Sequence, residues 1–159
     1  MIYIAIILFA IFLDQYSKYL VIAHIKPIDT LPLIPDVFHL TYVENTGAAF
    51  SLMTNKQIFL ILMTLVFIGV LIYFLIKIPD SKENRVIKFS LAFIIGGAAG
   101  NLLDRLRLNF VVDFLDFRVI KFAIFNFADI FVVCGSIILV IALFNNKNFL
   151  ENNDFGTLE

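Results

Sequence analysis

Ile58–Ile76 reads IFLILMTLVFIGVLIYFLI, nineteen consecutive residues without a charge. A helix rises about 1.5 Å per residue, so about 20 apolar residues cross the roughly 30 Å hydrocarbon core of a bilayer. This stretch is long enough to span a membrane and too uniformly apolar to be one face of a soluble helix. Three further stretches approach the same standard. Phe122–Phe144 contains one charge, Asp129. Val86–Leu103 carries Lys88 near its start and Asn101 near its end, and Met1–Ile25 carries Asp14, Gln15 and Lys18. The pattern predicts one integral membrane domain over 1–159, with transmembrane helices at about 1–24, 57–77, 86–104 and 122–144. Between them lie a long loop (25–56), a short loop (78–85) and a medium loop (105–121), and a polar tail follows at 145–159.

Composition agrees with that reading. Of 159 residues 61% are hydrophobic, 16% charged and 15% aromatic, whereas soluble domains carry about 45–50% apolar and about 25% charged residues. The apolar excess excludes an ordinary soluble globule, and it excludes a disordered chain. Twelve basic against 13 acidic residues give a net charge of −1, so nothing points to nucleic acid. A single cysteine, Cys134, excludes an internal disulfide and reads as a small buried hydrophobe. His24 and His39 stand without zinc-ligand spacing, and no metal is expected. The first segment lacks a basic start and a small-residue cleavage site, so it is expected to stay as a helix. Pro27, Pro32 and Pro35 break the start of the long loop, after which Val37–Val43 reads as a short β segment. Lys77, Lys82, Arg85 and Lys88 crowd the short loop and favour the cytoplasmic side for it. Arg105, Arg107, Arg118 and Lys121 on the other side weaken that bias.

Four spans place the end of helix 1, the end of helix 3 and the start of helix 4 on one side of the membrane. Asn45, Asn101, Asp104, Arg105, Asp113, Asn126 and Asp129 gather there. Ionisable groups inside a membrane are costly and tend to mark function. Asp129 has no cation at i±3 or i±4, has Asn126 on its own face, and is expected about seven residues into its helix, roughly 10 Å below the surface. Asp113 sits in an apolar run, Phe110–Phe114, that should keep near the bilayer surface. Two carboxyl groups brought together do not comfortably both ionise, so one holds a proton while the other can act as base toward water. Asp116 competes with Asp113 for that role. A protonated Asp129 that only bonds a neighbouring helix, or that serves a transporter as a proton site, stays open at this point. Gly96 and Gly100 have the four-residue spacing of close helix packing. Asn101, Asp104 and Arg105 can cross-link by hydrogen bonds and an ion pair, and Asp14 and Lys18 can pair at i, i+4.

Several blocks resemble those of one family, the bacterial lipoprotein signal peptidases (signal peptidase II). They are Asp14-Gln15-Tyr16-Ser17-Lys18, Asn45-Thr46-Gly47-Ala48-Ala49-Phe50-Ser51, Gly96–Arg105 with Val111-Val112-Asp113-Phe114, and Phe125-Asn126-Phe127-Ala128-Asp129. Each is weak alone; all four in order on four spans are specific. The resemblance implies an all-α membrane protein with a small extracytoplasmic β-cradle and a mobile loop helix over the site. It implies an aspartic endopeptidase, without cofactor, that removes signal peptides from diacylglyceryl-modified prolipoproteins by cutting before the lipidated cysteine. Asp113 and Asp129 would be the catalytic pair. Asn45, Gly47, Asn101, Asp104, Arg105, Asn126 and Ala128 would shape the site or hold substrate, and Asp14 with Lys18 would steady the helices. Its partners would be prolipoproteins, membrane lipids and globomycin-type peptide antibiotics. Both termini would lie in the cytoplasm and the site at the outer leaflet of the bacterial inner membrane. Asn109 stands where that family often has Gly, a position Asn can fill because it tolerates a left-handed turn. Ile130 stands where a small polar residue is frequent.

Overall fold

The computed structural model describes residues 1–47, 56–120 and 122–145. Helix α1 (Ile2–His24) is followed by a 3-10 turn (Lys26–Ile28), strands β1 (Thr30–Ile34) and β2 (Phe38–Asn45), and helix α2 (Gln57–Lys77). Helix α3 (Arg85–Leu108), strand β3 (Val111–Phe117) and helix α4 (Phe127–Asn145) complete the order. All four helices are long and apolar enough to cross a membrane, and with the small sheet they form the four-span architecture that the sequence predicts.

The four helices are not equivalent. In α3, 67% of the most apolar stretch is buried inside the protein, against 6% in α2. Helix α3 contacts α1, α2 and α4, which makes it the centre of the bundle. Small residues allow this. A Cβ at Gly97 would collide with the Ala128 carbonyl of α4, and one at Gly100 with the Asp14 carboxylate of α1. Lipid tails are as apolar as leucine, so close backbone approach and polar contacts, not burial of oily surface, select the central helix. Leu71 of α2, Ile78 and Ile87, Leu91, Ile94 and Ile95 of α3 form a core toward the end of the bundle remote from the sheet.

At the other end lies an antiparallel sheet in the order β1-β2-β3. Val112, Phe114 and Leu115 of β3 join Val21 of α1 and Ile25 just beyond it in one apolar cluster. The β segment expected near 37–43 is one strand of three. Pro32 does not prevent β1, because an edge strand tolerates a residue without an N–H. Strand β3 falls in a region read as loop. Its run of large apolar residues is buried on both faces and therefore lacks the alternation that marks a strand in sequence.

Two helix boundaries also move. Helix α3 runs past 104 to Leu108 and ends at Asn109, whose φ of 64° is left-handed as its residue type allows. Helix α4 starts at Phe127 rather than near 122. The reason is tertiary: Phe125 accepts hydrogen bonds from the Phe114 and Leu115 N–H groups and donates to the Leu115 carbonyl, so the preceding chain is held extended against β3. Asp129 is thus in the first turn of its helix, not seven residues inside it. The expected loop helix, with Ala48, Ala49, Phe50 and Ser51 of the second motif, falls on residues 48–55, outside the described residues. Lys121 and the tail beyond Asn145 lie outside them as well.

Candidate active site

Strand β3 and the start of α4 bring two carboxyl groups to one place. β2 and β3 pair so that Asn45 faces Val111 and Val43 faces Asp113. From there the Asn45 side-chain amide donates to Asp113 Oδ2 at 2.9 Å. Asn126, fully buried, ties the two acids together. Its Nδ2 donates to Asp113 Oδ1 at 2.6 Å, its backbone N–H donates to Asp129 Oδ2 at 3.1 Å, and its Oδ1 accepts the Asp129 N–H at 3.0 Å. The Asn126–Asp129 exchange is a reciprocal cap of α4, which explains why a carboxylate is stable in that first turn.

Asn101 of α3 holds the other Asp129 oxygen, Oδ1, at 2.8 Å. Its orientation is dictated from behind. Asn101 Oδ1 accepts from Lys18 Nζ at 2.9 Å and from Asn126 Nδ2 at 3.1 Å, so only the amide nitrogen can face Asp129. Lys18 in turn spends its three protons on Asn101, Asp14 Oδ2 and Asp104 Oδ2, each at 2.9 Å. Asp14 Oδ1 accepts the Ala128 N–H at 3.0 Å, and Asp104 Oδ2 accepts the Val112 N–H at 3.1 Å. One buried ammonium with two carboxylates therefore fixes α1, α3, β3 and α4 together, directly behind both acids. Loss of one member of such a network leaves an uncompensated buried charge, at a cost of about 3–5 kcal/mol.

Burial pushes the Asp113 carboxyl up to about 7. The neighbouring Asp129 charge pushes the same way, and the hydrogen bonds from Asn45 and Asn126 oppose both. Asp113 is 3% exposed, yet it opens on a cavity of about 530 Å³. The polar corner of that cavity is Asn45, Asn101, Arg105, Asp113 and Asp129; the rest of its wall is apolar, from Phe122 to Phe125 and along Ile130, Val132, Val133 and Cys134. Arg105 donates to the Gly47 carbonyl at 3.1 Å and to the Asn101 carbonyl at 3.4 Å, while its buried Nε has no partner. Gly47 itself closes a turn by donating its N–H to Asn45 Oδ1. Among the described residues no group of His, Cys, Asp and Glu could hold a metal ion.

Most of the residues singled out in the sequence meet here, with some rearrangement. The ion pair open to Asp104 is made with Lys18, and Arg105 turns to the cavity instead. Asp116, three residues from Asp113, projects elsewhere: Thr41 donates to it at 2.8 Å and Arg118 at 3.0 Å. Cys134 is exposed on the outside of α4 at the cavity edge, not buried. Phe122 and Phe125 line the cavity, whereas Phe114 is buried under the sheet. Gln15 was not among the expected site residues, although it donates to Asp104 at 2.8 Å and to the Gly100 carbonyl at 3.1 Å. Its amide inside a span, between Asp14 and Lys18, was the available signal.

Residues 6–145 match the family described as signal peptidase (SPase) II. A lipoprotein signal peptidase of Caldanaerobacter subterraneus subsp. tengcongensis is 52% identical over 136 residues, 86% of this chain and 91% of that protein. One of Clostridioides difficile is 46% identical over 141 residues, 89% of this chain and 93% of that protein. The chain belongs to the signal peptidase II family. A bacterial membrane enzyme solved by the in meso method at 2.3 Å resolution superposes with a TM-score of 0.83 at 31% identity, covering 99% of this chain and 94% of that one. A second, solved at 1.9 Å, gives 0.78 at 34% identity, covering 89% and 91%. As a signal peptidase II this chain is a multi-pass bacterial membrane peptidase, and the cavity between β3 and the start of α4 is its candidate peptide-cleaving site.

Proposed function

We propose that Asp113 and Asp129 form an acid–base pair that hydrolyses the peptide bond preceding the lipidated cysteine of diacylglyceryl-modified prolipoproteins. The observation that carries this reading is the Asn126 bridge. One buried asparagine contacts both carboxyl groups, Asp113 through its side-chain amide and Asp129 through its backbone N–H, at the wall of a cavity that is polar at one corner and apolar elsewhere. Near neutral pH the raised affinity of Asp113 for a proton supports Asp113 as the acid and Asp129 as the base. Asp129 takes a proton from water, the resulting hydroxide attacks the amide carbon, and Asp113 protonates the carbonyl oxygen. Collapse of the resulting gem-diol expels the amine of the new N-terminal cysteine, which takes the proton held by Asp129, while one diol hydroxyl returns its proton to Asp113. Neither metal nor covalent intermediate is needed.

The remaining residues have roles that follow from their contacts. Arg105 lines the cavity, and its guanidinium would donate to a substrate carbonyl. Asn45, with Gly47, and Asn126 orient the acids. Asn101, Asp104, Lys18, Asp14 and the Ala128 N–H form the support behind them. Acyl chains would run along the apolar wall, where each buried methylene contributes about 0.8 kcal/mol, so a few of them dominate affinity. Globomycin-type peptides would occupy the same cavity. The basic residues Lys77, Lys82 and Arg85 gather at the opposite end of the bundle, which favours cytoplasmic termini and a site toward the outer leaflet.

The test is cleavage of a diacylglyceryl-modified prolipoprotein and its unmodified form by the purified protein, with and without a chelator. The modified form should show a kcat/KM at least about 100-fold higher, equivalent to a few buried methylenes, with no effect of chelation. Equal values for the two forms would remove the lipid from the substrate definition. Loss of activity in chelator, restored by metal, would overturn the aspartate-only chemistry.

A further inference from the structure

A second cavity, of about 520 Å³, lies at the end of the bundle remote from Asp113 and Asp129. It is an open cavity lined by the start of α1 (Met1, Ile2, Tyr3), the α2–α3 connection (Asp80, Ser81, Lys82) and the first residue of α3, Arg85. Its charges are unbalanced in a specific way. The Asp80 carboxylate is already neutralised by Lys88, whose Nζ lies 2.6 Å away and also donates to the Ile78 carbonyl. That contact holds Asp80 below the usual carboxylate range. Glu83 does not line the cavity; its carboxylate is engaged by Ser81. Lys82 and Arg85 remain, both exposed and neither in an ion pair among the described residues.

The backbone adds to them. Helix α3 begins at Arg85 with no acidic residue in its first turn, so the positive end of its dipole lies at the same end, where the Asn84 N–H donates to Ser81 Oγ at 3.2 Å. Two cations and a helix start thus converge on a cavity large enough for a phosphate ester. Ile2 lines it at 57% exposure, and Val86 beside Arg85 is 48% exposed, so apolar surface continues from the cavity along the outside of the bundle. Nothing in the peptidase reading uses these residues.

We propose that this cavity binds a phosphate anion, and that its occupant in the membrane is the headgroup of an anionic phospholipid whose acyl chains lie along Ile2 and Val86. Basic pockets between spans are suited to such headgroups, and cations near the bilayer surface attract anionic lipid. Binding there would stabilise the α1–α3 contact from the end opposite the acids.

The experiment is thermal unfolding of the full chain in a neutral detergent, titrated with phosphatidylglycerol, with phosphatidylcholine, or with inorganic phosphate. Phosphatidylglycerol should raise Tm saturably and phosphatidylcholine should not. The Lys82→Ala/Arg85→Ala variant should lose the shift while its cleavage activity in neutral detergent stays at the parent level. Lys82→Arg/Arg85→Lys should keep the shift, and so should Lys77→Ala, which removes a cation at the same end but outside the cavity. A saturable shift with inorganic phosphate of equal size, lost in the same variant, would keep the anion site and overturn the lipid as its occupant. An equal shift in parent and double alanine variant, a shift with phosphatidylcholine, or no shift would overturn the site.

Discussion

Helices α2 and α3 are of similar length and both span the bilayer, but they are built on opposite rules. Helix α2 has no charge between Ile58 and Ile76, yet Leu62, Val66, Tyr73 and Ile76 are exposed and only Leu60 and Leu71 are buried. Helix α3 carries Lys88, Asn101, Asp104 and several small residues, and it is the buried centre. In water the oilier helix would be inside. In a bilayer the tails solvate leucine as well as another helix does, so position is decided by which surface can make contacts that lipid cannot. Small residues permit backbone approach, and polar groups need protein partners because hydrocarbon offers none. The acids of the site are carried on what packs against α3, not on α2.

If this contrast is right, the largest effect belongs to the acids that the α3 end supports. Asp113→Asn and Asp129→Asn should each lower the cleavage rate by about 10³-fold or more, because an amide keeps the shape but cannot exchange the proton. Circular dichroism and unfolding in detergent should show both variants folded. Asp116→Asn, which disturbs the contacts with Thr41 and Arg118, should keep substantial activity; a dead Asp116 variant beside an active Asp113 variant would reassign the loop acid.

The next effect sharpens the helix comparison itself. Gly100→Ala inserts a methyl group against the Asp14 carboxylate and should destabilise by about 1–3 kcal/mol, the usual range for overpacking. Gly69→Ala on α2 meets nothing within 4 Å, and should leave stability unchanged or raise it by up to about 1 kcal/mol through helix propensity. Denaturation of both variants in the same detergent measures the difference. Equal losses would mean that the two helices are packed alike.

A smaller effect comes from pH. Asp113 holds its proton up to about 7, and the pair needs that one proton to act. Just below that value activity should be flat. Above it, kcat/KM should fall as the proton leaves, to about one tenth of the plateau one pH unit higher. A profile still rising through pH 8 would show that the pair does not require the Asp113 proton.

Much of this was legible in the chain. A helix in a membrane must satisfy its backbone internally, so length and apolarity alone locate a span to within a few residues. The polar residues set into those spans are few enough that each stands out, which is why Asp14, Lys18, Asn101, Asp104, Asn126 and Asp129 could be named from sequence. Which of them touch was less legible. Asp104 could pair with Arg105 or with Lys18, and only the packing of α1 on α3 brings the lysine within 2.9 Å.

The sequence by itself determined four spans, the end of the bundle where the polar residues gather, and the family to which they belong. The tertiary structure decided the rest. It made β3 a strand, because its apolar residues are buried between Phe125 and β2, and it delayed α4 to Phe127 by the same pairing. It placed Cys134 on the outer surface, because which face of an apolar helix meets protein depends on its neighbours and not on its own hydropathy. It brought Asp113 rather than Asp116 against Asn126, since residues three apart on a strand project to opposite faces. Local sequence sets how each segment hydrogen-bonds its own backbone; only the assembled bundle sets which side chains share a cavity.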